Sequence, residues 1–186
     1  FVGGGPVVTR YSFGKSPYAH KFSQLGNYAF RTGAFRVALA ADIVEVFPGV
    51  RLNLEGQISV PRSVRNFYGF GNETRRDEDL EADDFYKVKT DDYALRQRLN
   101  FKLHDKVDWF FGSAYSFTKI KRKDSPFVSL LADSTGLYGV GKFRQLNLST
   151  GIEIDTRDRQ VASTRGFYAS VEAAHYPDIL DLDARY

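Results

Sequence analysis

The stretch from Ala94 to Leu103 alternates along its length. Leu95, Leu99, Phe101 and Leu103 fall on one side of an extended chain, with Gln97 the single exception, and Arg96, Arg98, Asn100 and Lys102 fall on the other. A period of two residues specifies a β-strand with one apolar and one wet face. The pattern recurs along nearly the whole chain and predicts about nine strands. These are Val7–Phe13, Tyr18–Phe30, Phe35–Ile43, Val50–Val60, Phe85–Leu103, Val107–Phe117, Leu146–Ile154, Phe167–Ala173, and a ninth starting near Leu180. Several runs last ten residues or more, against about five or six for strands of soluble proteins. A tilted strand crossing a bilayer needs about 9–11. No sustained 3.6-residue period and no capping box precede an apolar run, so no helix is expected.

Composition narrows the class. The chain has 186 residues, a size suited to one domain, with a formal net charge of +3, no cysteine, 16 Phe and 11 Tyr. Mean hydropathy is −0.37, and no apolar run reaches the ~18 residues a membrane helix needs. A helical membrane protein is therefore excluded, whereas a membrane barrel, half of whose strand residues are polar, is not. A net charge this small, spread along strands among acids, does not suggest nucleic-acid binding. Without cysteine there is neither a disulfide framework nor a thiolate metal site.

The connections carry a second pattern. Short turns at Gly14–Pro17, Phe47–Gly49 and His104–Lys106 alternate with long polar loops at Pro61–Asp84 and Arg122–Gly136. Membrane barrels have short periplasmic turns and longer outer loops. That parity puts Asp155–Gly166 on the periplasmic side and makes Arg31–Gly33 a short outer connection. The wet faces, with Arg96, Arg98, Lys102, Glu153 and Glu172 among their charges, would then line a hydrated lumen. A soluble barrel or sandwich could instead bury the apolar faces inside; strand length and loop parity favour the membrane.

Three segments carry a family resemblance. The first is Asp155-Thr156-Arg157-Asp158, a spacer, Ser163-Thr164-Arg165-Gly166, and a strand ending at Pro177. The second is Asn66-Phe67-Tyr68-Gly69-Phe70-Gly71-Asn72-Glu73, and the third is Gly4-Gly5-Pro6 followed by Gly14-Lys15-Ser16-Pro17. Together they resemble the bacterial surface antigen family, the BamA/TamA-like outer-membrane β-barrels, with Ser163 standing where that family has proline. The resemblance implies an all-β, antiparallel up-and-down transmembrane β-barrel, with residues 1–186 forming about nine strands of sixteen and the barrel incomplete at both ends. It implies structural turn roles for Asp155, Arg157, Asp158, Thr164 and Gly166, and an outer-loop role for Asn66, Phe67, Tyr68, Gly69, Gly71 and Asn72. It further implies location in the bacterial outer membrane and a part in inserting, assembling or translocating proteins there. The partners would be outer-membrane lipid, lipopolysaccharide and substrate outer-membrane proteins. Thr164-Arg165-Gly166-Phe167 matches by letters the tip of the family's lumenal lid loop, but it follows a periplasmic turn motif and is not that loop.

The alternatives are a barrel that anchors or exports a fused periplasmic enzyme, and a soluble ligand-binding β-barrel. No enzymatic activity is expected of these strands. His20, His104 and His175 lie on separate strands or in a turn, without the mutual contact of nucleophile, base and orienter that a triad needs. The acidic run Glu73–Asp84 lacks cation-loop spacing and reads as a solvated loop. Gly3–Gly5 and Gly139–Gly141 do not precede helices and form no phosphate cradle. No cofactor and no metal are expected.

Overall fold

A computed structural model describes residues 2–70, 77–82, 84–136, 140–159 and 162–177. Nine strands form one antiparallel sheet: β1 (Val2–Gly4), β2 (Val7–Arg10), β3 (His20–Ala29), β4 (Ala34–Phe47), β5 (Val50–Asn66), β6 (Lys87–His104), β7 (Val107–Ile120), β8 (Lys142–Asp155) and β9 (Tyr168–His175). From β3 to β9 each strand pairs with the next in sequence, which is up-and-down topology, and β1 and β2 share the edge beside β3. β1 and β2 act as one strand broken at Gly5-Pro6, where the proline ring cannot donate to a ladder. Two edges stay open, along β1/β2 and along β9, so the sheet is not closed into a barrel among the described residues.

The alternation fixes the two faces. Register places Val50, Phe101, Trp109 and Ile152 in one row, and Leu52, Leu99, Phe111 and Thr150 in the next row on the same side. Asn53, Arg98, Gly112 and Ser149 make a row on the opposite side. The central strands are long: β4, β7 and β8 have 14 residues each, β5 has 17 and β6 has 18. Among the described residues no second layer covers the apolar side. Leu39, Leu95, Ile152 and Val171 are 51%, 60%, 46% and 77% exposed, and Trp109 and Phe111 are also solvent-accessible.

The structure departs from the sequence reading in four places. β2 ends at Arg10, so Tyr11 and Phe13 stand outside the sheet and are exposed. Second, β1 is a strand that the two-residue period did not predict; the ninth expected strand, near Leu180, lies outside the described residues, as do Gly71 and Asn72.

Third, there are helices: α1 (Glu78–Ala82), a 3-10 turn at Arg122–Asp124, and α2 (Pro126–Thr135). α2 carries proline in its first turn and ends at Gly136 in the left-handed conformation (φ 65°). Those are the two positions where these residues best fit a helix boundary.

Fourth, the described parts of the long loops are packed. Phe67, Phe70, Phe85, Tyr86 and Phe127 meet ring to ring, with Phe127 5.5 Å from Phe85 and 5.2 Å from Tyr86. Tyr86 and Val128 are buried. Backbone bonds from Phe67 to Tyr86 and from Phe127 to Phe85 tie the two loops together. Ser125, wholly buried, does not cap α2; its Oγ accepts the N–H of Lys89 (3.0 Å) and anchors the helix to β6.

Candidate functional site: the concave polar face

The polar face carries the charges, and the sheet curves toward it. One hollow of about 820 Å³ is lined by residues of β4 through β9, including Arg51, Asn53, Arg98, Asp108, Glu153 and Tyr168. A second, of about 810 Å³, is lined by residues from β3 to β8, including Asn27, Arg36, Gln57, Asp92 and Gln145. Six consecutive strands can line one hollow only if the sheet bends around it.

A belt of polar contacts crosses the floor of the first hollow. Tyr18 Oη donates to Asp42 Oδ2 (2.5 Å), and Arg51 Nε donates to Asp42 Oδ1 (2.8 Å). Asn53 donates to Asp42 (3.1 Å), Asn100 to Asn53 (3.0 Å), and Arg98 Nε to Asn100 (2.8 Å). Arg98 Nη2 lies 2.7 Å from Glu153 Oε1, which also accepts from Tyr168 Oη at 2.8 Å. The Arg157 guanidinium covers the Tyr168 ring at 4.9 Å and forks onto both Asp155 oxygens at 2.9 and 2.7 Å. The belt thus runs from the loop before β3 to the loop after β8. Charge-assisted and two-pronged bonds of this kind hold geometry as well as energy.

Phe110, Phe143 and Tyr168 lie on this polar side by register. Phe110 is 2% exposed, the most buried large apolar residue described, and the Arg98 guanidinium stacks on its ring at 3.7 Å. Space for the ring comes from Gly151, its register partner: a Cβ there would sit 2.6 Å from the Phe110 ring. Gly112, opposite Arg98, keeps the neighbouring position small. The two-residue period of Val107–Phe117 puts Trp109 and Phe111 on the apolar side and Phe110 opposite them, an apolar residue on a wet face. The Phe110-Phe111 break in alternation was the available signal.

Arg96, Arg98, Lys102, Glu153 and Glu172 all lie on this one face by register. Arg98 and Glu153 are paired within the belt. Arg96 stands 3.9 Å from Glu55, Lys102 pairs with Asp105 at 2.8 Å, and Glu172 lies opposite Gly151. The Lys102 ammonium beside Asp105 holds that turn carboxyl below its ordinary pKa.

The Asp155–Gly166 segment is a hydrogen-bonded loop. Asp158 accepts from Thr164 Oγ1 (2.8 Å), Ser163 Oγ (3.0 Å), and the backbone N–H groups of Thr164 (3.1 Å) and Arg165 (3.3 Å). The two hydroxyls, Thr164 first, hold its carboxyl well below the usual carboxylate range. Thr156 Oγ1 accepts from Phe167 N–H (2.9 Å) and donates to the Phe167 carbonyl (3.0 Å). Gly166 has φ 93°, and a Cβ there would stand 2.2 Å from the Thr156 carbonyl oxygen, so the loop closes only over a residue without one. At the opposite end Phe67, Tyr68 and Gly69 belong to the packed aromatic loop, where Asn66 Nδ2 donates to Tyr68 Oη (3.0 Å).

The histidines are dispersed: His20 is on β3 against Phe22, His104 ends β6, and His175 ends β9. Among the described residues no three His, Asp or Glu side chains are grouped to hold a metal ion.

The apolar face carries Gln97, Ser113 and Thr150 among its polar residues, and the Thr150 hydroxyl is doubly engaged. Thr150 sits in the row of Leu99 and Phe111. Its Oγ1 accepts the Trp109 indole N–H (2.8 Å) and donates to the Phe110 carbonyl (2.9 Å). At the level of Tyr93, stacked on Phe117 at 5.7 Å, the face gives way to charge: the next row is Asp91, Lys119 and Lys142. Comparison with protein-family models, with curated proteins and with solved structures finds no match to this chain.

Proposed function

We propose that this chain is a segment of an integral outer-membrane β-barrel of the BamA/TamA-like bacterial surface antigen type, with its apolar face in lipid and its polar face in a hydrated lumen. In this reading the two open edges are where further strands continue the barrel. One observation carries it: a broad apolar sheet face without a covering layer lies opposite a concave face crossed by a hydrogen-bonded belt. Soluble monomers rarely expose contiguous apolar patches beyond a few hundred Å². Burying the belt as a core while the aromatics face water would invert the usual distribution.

The dimensions support the same medium. On β7 the apolar rows run from Val107 to Phe117, about eleven residues. At ~3.3 Å per residue and the ~40° tilt of barrel strands they span about 28 Å of depth, against a band of about 25 Å in outer-membrane barrels. Trp109 with Phe101 near one border and Tyr93 with Phe117 near the other occupy the levels where aromatic girdles sit.

The activity we propose is non-enzymatic: assisting the insertion, assembly or translocation of other outer-membrane proteins. It is the family resemblance that supports this part. The test uses the full-length protein. Recovery in the outer-membrane fraction, with gel mobility that differs between boiled and unboiled samples, is the expected result for the barrel. Recovery as a soluble protein with no mobility shift would overturn it. Reconstituted in liposomes, the protein should accelerate insertion of a urea-unfolded barrel protein; unchanged insertion would leave the barrel and remove the insertase.

A further inference from the structure

We infer that the Lys119/Lys142 pair at the border of the apolar face is a binding site for the phosphate groups of a membrane lipid, specifically lipopolysaccharide in the leaflet on the long-loop side. This rests on the membrane reading above.

The observation is an electrostatic arrangement that folding does not explain. Lys119 on β7 and Lys142 on β8 are direct register partners, both exposed. Across β6 Lys119 faces Asp91, but on β8 it faces a like charge, and like charges directly opposite on one sheet face destabilise the pairing. Neither ammonium has a carboxylate at ion-pair distance among the described residues, nor does the nearby Lys123. Of the nearby acids Asp91 is taken by Lys121 at 3.2 Å and Asp133 by Arg122 at 2.7 Å, and Asp124 alone lines the hollow beside the lysines. A hollow of about 450 Å³ lies at the same place, lined by Lys119, Lys121, Lys123 and Lys142 among others.

Position selects the occupant. By alternation Lys119 and Lys142 continue the side that carries Tyr115, Phe117 and Leu146, one row beyond the Tyr93–Phe117–Arg144 level. They therefore project from the apolar side where it ends, at the depth of lipid headgroups, and not into the polar hollow. The end they occupy is the one bearing the long β5–β6 and β7–β8 connections, the outer end in a membrane barrel. Outer-leaflet lipopolysaccharide presents phosphates at that depth. A phosphate bridging the two ammonium groups would replace their repulsion with two charge-assisted contacts, and basic residues at a membrane surface attract anionic headgroups additively.

The experiment titrates bisphosphorylated lipid A in detergent micelles into the purified full-length protein and reads binding by native mass spectrometry. The double variant Lys119→Gln/Lys142→Gln should bind roughly tenfold or more weakly. Lys119→Arg/Lys142→Arg should retain binding, and Lys15→Gln/Lys106→Gln, at the opposite end, should match the parent. Fully dephosphorylated lipid should bind as weakly to the parent as phosphorylated lipid binds to the Gln variant. Equal binding by parent and Gln variant, or undiminished binding of dephosphorylated lipid, overturns the proposal. So does displacement by millimolar inorganic phosphate alone, which would mark a free-anion site. Gel mobility of each variant, boiled and unboiled, is recorded in parallel. Loss of heat-dependent mobility in the parent defeats the barrel itself, whereas a heat-modifiable parent with lysine-independent binding defeats only this inference.

Discussion

The two faces of the sheet are both accessible and chemically opposite, and they hold themselves together by different means. On the apolar side Leu39, Leu95, Ile152 and Val171 stand without a covering layer among the described residues, and the Thr150 hydroxyl is engaged by Trp109 and by a carbonyl. On the polar side Asp42, Arg98, Glu153 and Asp155 are held in pairs, and the buried Phe110 ring is packed beneath a guanidinium. The difference is what the proposed lipid-facing and water-facing sides would each require. In hydrocarbon an unmatched N–H or hydroxyl costs several kcal/mol, so the few polar groups there must satisfy one another. In a wet concavity the charges are tolerated, and their pairing sets geometry more than stability.

The sharpest way to break this contrast is to put charge on the apolar side. Leu99→Arg, near mid-band, should cost about 2–4 kcal/mol in urea unfolding of the full-length protein in micelles if that side meets lipid. A cost below about 0.5 kcal/mol, typical of a surface substitution in water, would reverse the assignment. Gln97→Leu in the adjacent row should stabilise by the same logic.

A second test concerns the polar side. Gly151→Ala drives a methyl group into the Phe110 ring and the Val171 carbonyl and should cost about 1–3 kcal/mol by overpacking. It should also displace the Arg98 guanidinium from its stack, which the Arg98 side-chain resonances would report. A neutral result would mean that Phe110 does not support the belt.

A smaller effect is expected from Thr150→Val, which leaves the Trp109 indole N–H without its acceptor. The cost should be about 1 kcal/mol, with a shift in Trp109 fluorescence, the chain having a single tryptophan. An unchanged spectrum would show that the indole finds another acceptor.

The mildest effect is one of pH. Asp158 has its carboxyl pKa depressed by the Thr164 and Ser163 hydroxyls. A depressed folded-state value contributes stability above the unfolded value of about 4, lost as pH falls through the folded value. Amide protection at Thr164 and Arg165 should therefore persist through pH 4 and disappear only well below the ordinary carboxylate range. Asp158→Asn should weaken that protection and abolish its acid dependence, while leaving the Phe67–Phe127 aromatic loop at the other end unaffected.

Much of the fold was legible because a strand enforces a strict two-residue period. Arg96, Arg98 and Lys102 had to share a side once Leu99 and Phe101 shared the other, whatever the partners. The Asp155–Gly166 motif was legible as a turn because its hydrogen-bonding residues are close in sequence. Helix α2 was not read, although Ser125-Pro126 and Gly136 mark its boundaries. Ten residues between polar flanks give little periodicity, and its anchoring bond joins Ser125 to Lys89, 36 residues away. The polar belt was equally hidden, since Asn53 and Asn100 are 47 positions apart.

By itself the sequence determined the strands, their faces and their up-and-down order, because periodicity and short connections are local properties of a chain. Only the tertiary structure decided what buries Phe110, which charges pair, and that Lys119 meets Lys142. Those outcomes depend on register between strands far apart in sequence, and register is set by the packing of the whole sheet.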